Sequence, residues 1–132
     1  MRILFPNDQT LGMTMPLGLP LQSFILEVIL TFFLMFVILS VATGSKEKGV
    51  MAGVAVGSVI ALEAIFAGPI SGASMNPARS LAPALVALQF KDLWIYLTAP
   101  FLGAIMAVMG CRCVQEKGCC CSMPNEEANC AV

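Results

Sequence analysis

The clearest chemistry in the chain lies in four consecutive residues, Asn76-Pro77-Ala78-Arg79. They sit within Ala67–Leu81, the only stretch where glycines, serines, a proline and an arginine gather inside otherwise apolar sequence. An asparagine side-chain oxygen accepts a free backbone N–H at a helix start. A proline at the first helical position forgoes a hydrogen bond that would not be made there anyway. The stretch therefore reads as a loop that runs into a helix at Pro77. A helix N-terminus concentrates unpaired N–H groups and about half a positive charge. The Asn76 amide can donate to a neutral oxygen, and Arg79, one turn into the helix, carries a permanent charge. The loop ahead offers the carbonyls of Gly72, Ala73 and Ser74 as acceptors, with Gly68 and Gly72 permitting the backbone turns. Together these groups can hydrogen-bond an uncharged molecule and repel cations. For Arg79 the plainer alternative is a snorkelling surface side chain, which its place three residues after Asn76 argues against. For Ser71 and Ser74, capping the loop and lining a passage both stay open.

Two carboxylates interrupt apolar runs. Glu27 lies inside the run Ser23–Val41, where an ionisable group is costly unless it has partners. It reads as a structural acceptor for loop N–H groups, with a proton relay as the alternative. Glu63 lies near the end of a second apolar run, where it reaches water, a loop amide or a pore. All six cysteines (111, 113, 119, 120, 121 and 130) fall in the last 22 residues. Three of them, Cys119, Cys120 and Cys121, are adjacent, unlike the paired spacing of a zinc site. Soft-metal or arsenite binding, lipid attachment at Cys111 and Cys113, and no essential role all remain open.

The inventory excludes much else. There is no histidine, net charge is −1, and no basic stripe exists to neutralise phosphates, so nucleic acid is not an expected partner. No nucleophile–base pair, metal cluster or phosphate loop supports an enzyme, and no cofactor is implied.

The elements that must position these groups are membrane-like. Of 132 residues, 58% are hydrophobic and 11% charged, where soluble domains carry about 25% charge. Three apolar segments, at about residues 22–43, 50–67 and 93–109, are long enough to cross a bilayer. The helix from Pro77 to about residue 86 covers only about 15 Å at 1.5 Å per residue, half of a ~30 Å hydrocarbon core. Irregular backbone at that depth survives only where protein or a watery cavity covers it. Residues 1–21, broken by Pro6, Pro16, Gly18 and Pro20, read as an exposed loop. Gly44–Gly49 reads as a polar turn that Lys46 and Lys48 place on the cytoplasmic side, which puts the tail, residues 111–132, there too. Gly53, Gly57 and Ala61 in the second span, and Gly103 and Ala107 in the third, have the spacing of close helix packing. Trp94 and Tyr96 sit where interfacial aromatics do.

The ten residues Ser71-Gly-Ala-Ser-Met-Asn-Pro-Ala-Arg-Ser80, set between two membrane-length segments, resemble the second Asn-Pro-Ala signature of the aquaporin, or major intrinsic protein, family. The resemblance covers about residues 7–110 and omits the tail. It implies an all-α membrane protein of three transmembrane helices plus one re-entrant half-helix, one of the family's two inverted repeats. By resemblance residues 1–21 are the extracellular connection between the two halves, with Met1–Phe5 the frayed end of a preceding helix, and Glu27 braces the pore loop from behind. The family constriction combines Arg79 with the residues three and twelve positions before Asn76, here Ala73 and Ala64. Two alanines beside one arginine imply a wide, amphiphilic opening. The character is closest to the nodulin-26-like and related bacterial branch. That implies a passive channel for water and small neutral solutes such as glycerol, with undissociated metalloid acids a further possibility. The family carries two such signatures and this chain one. The chain is thus expected to be a piece of a longer channel, completed by an N-terminal half, assembled as a homotetramer, and set in a plasma or bacterial inner membrane. The alternative is a non-conducting membrane protein whose cysteine tail binds soft metals or partners.

Overall fold

The computed structural model describes the backbone over residues 12–42 and 46–114 and the side chains over 12–41 and 51–114. Expectations for Met1–Phe5, for part of the Gly44–Gly49 turn, and for Cys119, Cys120, Cys121 and Cys130 lie outside the described residues. Four helices and no strand occur among the described residues: α1 (Pro20–Ala42), α2 (Lys46–Ser71), α3 (Pro77–Ala87) and α4 (Leu93–Val114). The fold is all-α, as expected.

Within α1, α2 and α4, the stretches Pro20–Val41, Met51–Ser71 and Leu93–Val114 are 22, 21 and 22 residues of predominantly apolar sequence. Each spans roughly 32 Å, enough for a ~30 Å hydrocarbon core. Helix α3, with 11 residues, covers about half that.

Helix α1 is the centre of the arrangement. It packs against α2 on one side and α4 on the other, and α3 lies on α4. The α1–α4 seam is built from small residues: Ala99, Gly103, Ala107 and Cys111 of α4 are buried at four-residue spacing. Opposite them α1 buries Ser23, Glu27 and Thr31, also one turn apart. A Cβ added at Gly103 would stand 2.5 Å from the Val28 carbonyl oxygen and 2.9 Å from the Thr31 Cβ. Backbone contact this close is what small interface residues permit in membranes. Gly103→Val should therefore force the two helices apart at a cost of about 1–3 kcal/mol, read as a lower unfolding midpoint of the detergent-solubilised protein. By contrast Gly53, Gly57 and Ala61 of α2 are exposed, and added Cβ atoms at the two glycines meet nothing within 4 Å.

Several expected boundaries move. Helix α2 begins at Lys46 and ends at Ser71, so the loop shrinks from Ala67–Met75 to Gly72–Met75 ahead of Asn76. Pro69 sits in the last turn of α2, where it removes one hydrogen bond without ending the helix. The terminal carbonyls find outside donors: Ile70 O accepts Leu17 N at 3.0 Å and Ser71 O accepts the Tyr96 hydroxyl at 2.5 Å. Gly68 is helical, its carbonyl accepting Gly72 N at 3.0 Å, so only Gly72 makes the turn, at φ +86°. Pro20 opens α1 at the helical position that suits proline. Helix α4 runs to Val114, past the expected end at 109. Residues 12–19 are not simply an exposed loop, because Thr14 is buried and Leu17 is tied to α2. Tyr96 is buried against protein, 1% exposed, whereas Trp94 is exposed and stacks on Phe24 with ring centroids 5.6 Å apart.

Candidate functional site

The site is built on a strained loop. Between α2 and α3 the chain passes through Gly72 (φ +86°), Ala73 (φ +41°) and Met75 (φ +51°). A left-handed conformation is free for glycine but costs an ordinary residue roughly 1–2 kcal/mol, so something must hold Ala73 and Met75 there.

Glu27 does so. It is fully buried on α1, directly behind the loop. One carboxylate oxygen accepts the Ser71 hydroxyl and the Ser74 N–H, each at 2.9 Å, and the other accepts the Met75 N–H at 2.9 Å. Hydrogen bonds to an ionised acceptor are the strong class, and three on one carboxylate answer the cost of burying it. Ser71 passes the support on: its hydroxyl oxygen accepts Ala73 N at 3.2 Å while its proton goes to Glu27. Ser71 therefore caps the loop from a buried position.

At the loop's end Asn76 is the N-cap of α3. Its backbone is extended, and its Oδ1 accepts Ala78 N at 2.9 Å and Arg79 N at 3.4 Å. With the side-chain oxygen committed, the amide nitrogen is the part of the side chain left to donate. Pro77 occupies the first helical position. Arg79 turns back over the loop, and its Nη1 donates to the Ala73 carbonyl at 2.5 Å.

These groups border a half-open cleft of about 310 Å³, lined by Leu34, Ile60, Ala64, Ala73, Ser74, Met75, Asn76 and Arg79. Of the residues singled out from sequence, Ala64, Ala73, Ser74, Asn76 and Arg79 share this cleft. Gly72, Pro77 and Ala78 do not line it; they shape the turn and the helix start. The cleft thus has an apolar wall from α1 and α2 and a polar edge of one amide, one guanidinium and one hydroxyl. Leu34, Ile60 and Met75 were not anticipated. Ile60 lies one turn before Ala64 and was recoverable by helical spacing; Leu34, on another helix, had no such signal.

Glu63 does not line the cleft. It is 8% exposed, and neither carboxylate oxygen has a hydrogen-bond partner among the described residues. The loop-amide reading fails because Glu27 already takes the loop N–H groups nearby.

Three apolar helices of bilayer-crossing length, with a half-length helix that starts at the polar edge of a cleft, define a multi-pass integral membrane protein. A sequence profile described as Major intrinsic protein matches residues 6–110, and the chain belongs to that family. It is 53% identical over 107 residues to Nodulin-26 of Glycine max, covering 80% of this chain and 39% of that protein. It is 56% identical over 91 residues to Aquaporin NIP1-4 of Oryza sativa subsp. japonica, covering 69% of this chain and 33% of that protein. With Aquaporin NIP1-2 of Arabidopsis thaliana the identity is 50% over 113 residues, 80% of this chain and 38% of that protein. The chain therefore falls in the nodulin-26-like branch and spans less than two fifths of the length of these curated relatives.

Proposed function

We propose that this chain forms one wall of a passive transmembrane channel for water and small uncharged solutes such as glycerol. The observation that carries the reading is the cleft itself. At the start of α3, the Asn76 amide and the Arg79 guanidinium share the cleft lining with the small residues Ala64 and Ala73. A neutral oxygen passing there accepts hydrogen bonds in place of those it leaves in water. A cation, hydronium included, meets the positive end of a helix dipole and a permanent charge. The short alanine side chains leave room for a solute larger than water and give its carbon skeleton an apolar surface.

One wall does not enclose a pore. Among the described residues, nothing closes the cleft on one side or covers the Gly53, Gly57 and Ala61 face of α2. In the proposed channel both are covered by a complementary half carrying its own Asn-Pro-Ala loop. Completed channels assemble as homotetramers in a plasma or bacterial inner membrane, with the tail beyond α4 in the cytoplasm. The names of the relatives, two aquaporins among them, accord with this reading.

Stopped-flow light scattering from vesicles holding the complete channel tests it. Expected are water and glycerol permeabilities above the lipid background together with a background proton flux. Water and glycerol fluxes no faster than through lipid alone would reject it.

A further inference from the structure

Three buried hydroxyls link the segment before α1 to the polar edge of the cleft. Thr14 Oγ1 lies 2.7 Å from Ser80 Oγ, Ser80 Oγ lies 2.6 Å from Ser74 Oγ, and Ser74 Oγ donates to the Asn76 carbonyl at 2.9 Å. All three side chains are buried, Ser80 completely.

The direction of this chain follows from counting protons. A carbonyl can only accept, and a hydroxyl has a single proton. Ser74 uses its proton on the Asn76 carbonyl, so in its contact with Ser80 it must accept. Ser80 then has none left for Thr14, and Thr14 must donate. The order is fixed: Thr14 to Ser80, Ser80 to Ser74, Ser74 to the Asn76 carbonyl. Aligned hydrogen bonds of this kind polarise and strengthen one another. Thr14 also bears on the other end of the loop, since a Cβ on Gly72 would come within 3.1 Å of the Thr14 Cβ and Cγ2. One residue therefore touches both the turn that starts the loop and, through two serines, the peptide that ends it. A further consequence concerns Ser74, which lines the cleft. With its proton committed inward, it can only accept from whatever occupies the cleft, complementing the donors Asn76 and Arg79.

We propose that Thr14 is a positioning residue for the selectivity cleft, acting through a one-way hydroxyl relay that fixes the Asn76 peptide and holds Ser74 as an acceptor. This rests on the channel reading above. In that channel, removing the first donor loosens the placement of the donors and acceptor that a solute meets, while the Glu27 brace and the Asn76 cap stay intact.

The test compares Thr14→Val, which keeps the shape but lacks the hydroxyl, with Thr14→Ser, which restores the donor. Both are made in the complete channel, and vesicle water and glycerol permeabilities are measured at matched protein content. The expected result is a shift of roughly two- to tenfold in the water-to-glycerol permeability ratio for Thr14→Val, the size of one net hydrogen bond, with recovery in Thr14→Ser. Ser80→Ala, which removes two links, should shift the ratio at least as far. A merely structural role would lower both permeabilities together and leave the ratio unchanged. An unchanged ratio in both Thr14→Val and Ser80→Ala overturns the proposal while the parent still conducts. A parent without flux overturns the channel reading instead.

Discussion

Glu27→Ala is expected to abolish transport by unmaking the loop, although residue 27 does not line the cleft. Its removal strands the Ser71 hydroxyl, the Ser74 N–H and the Met75 N–H, all of which now end on one carboxylate. A buried donor left without a partner costs about 1–3 kcal/mol. Three such losses rival the whole stability of an ordinary domain, about 5–15 kcal/mol. They fall on a loop that already holds Ala73 and Met75 in a left-handed conformation. Glu27→Gln should be intermediate. Its amide oxygen can serve Ser71 and Ser74, but its NH2 then faces the Met75 N–H, donor against donor. The expected order of unfolding midpoints in detergent is parent, then Glu27→Gln, then Glu27→Ala, with water permeability per unit protein following the same order. Equal midpoints for parent and alanine variant would mean that the loop is held by something else.

The second large effect is expected at Arg79, and here stability should barely change. The side chain is exposed at the cleft, and the cap of α3 is made by Asn76 and the backbone. Arg79→Ala removes the one permanent charge in the cleft lining and the donor to the Ala73 carbonyl. At about 4 Å a unit charge opposes a cation by about 1 kcal/mol in bulk water and about 4 kcal/mol at an effective dielectric of 20. Proton and cation leak should therefore rise roughly five- to several-hundredfold, at ~1.4 kcal/mol per factor of ten. Glycerol permeability should hold or rise, because the passage widens. Arg79→Lys keeps the charge but loses the planar fork, so it should restore much of the cation barrier without restoring the parent's solute preference. Proton flux measured with a pH-sensitive dye trapped in the vesicles, beside solute swelling, separates these outcomes.

What could be read from the chain alone was mostly local chemistry. The start of α3 was legible because capping by asparagine and proline depends on four neighbouring residues. The three long helices were legible because membrane length and low charge leave few alternatives. Glu27 was singled out because a carboxylate in an apolar run must find donors, and Ala64 and Ala73 through family spacing. The extension of α2 through Pro69 was not legible, because it depends on Leu17 and Tyr96 satisfying the last carbonyls from distant parts of the chain. Thr14, Ser80 and Tyr96 were missed as supports for the same reason. Their roles arise from contacts 66 and 25 residues apart in sequence. The spacing of Gly53, Gly57 and Ala61 matched that of Gly103 and Ala107. Only the structure separates the face left open from the face packed on α1.

In the proposed channel, molecules pass through the cleft bounded by Ala64, Ala73, Asn76 and Arg79. A single thiol placed there reports on that passage. With every native cysteine of the complete channel, the six of this chain included, replaced by serine, Ala64→Cys is treated with a membrane-impermeant thiol reagent, and vesicle water flux is compared before and after. Ala67→Cys, fully buried one turn away, serves as the control. Labelling residue 64 is expected to shut down flux, while the cysteine-free parent and the residue 67 variant keep theirs. Full labelling at residue 64 with flux undiminished would contradict it.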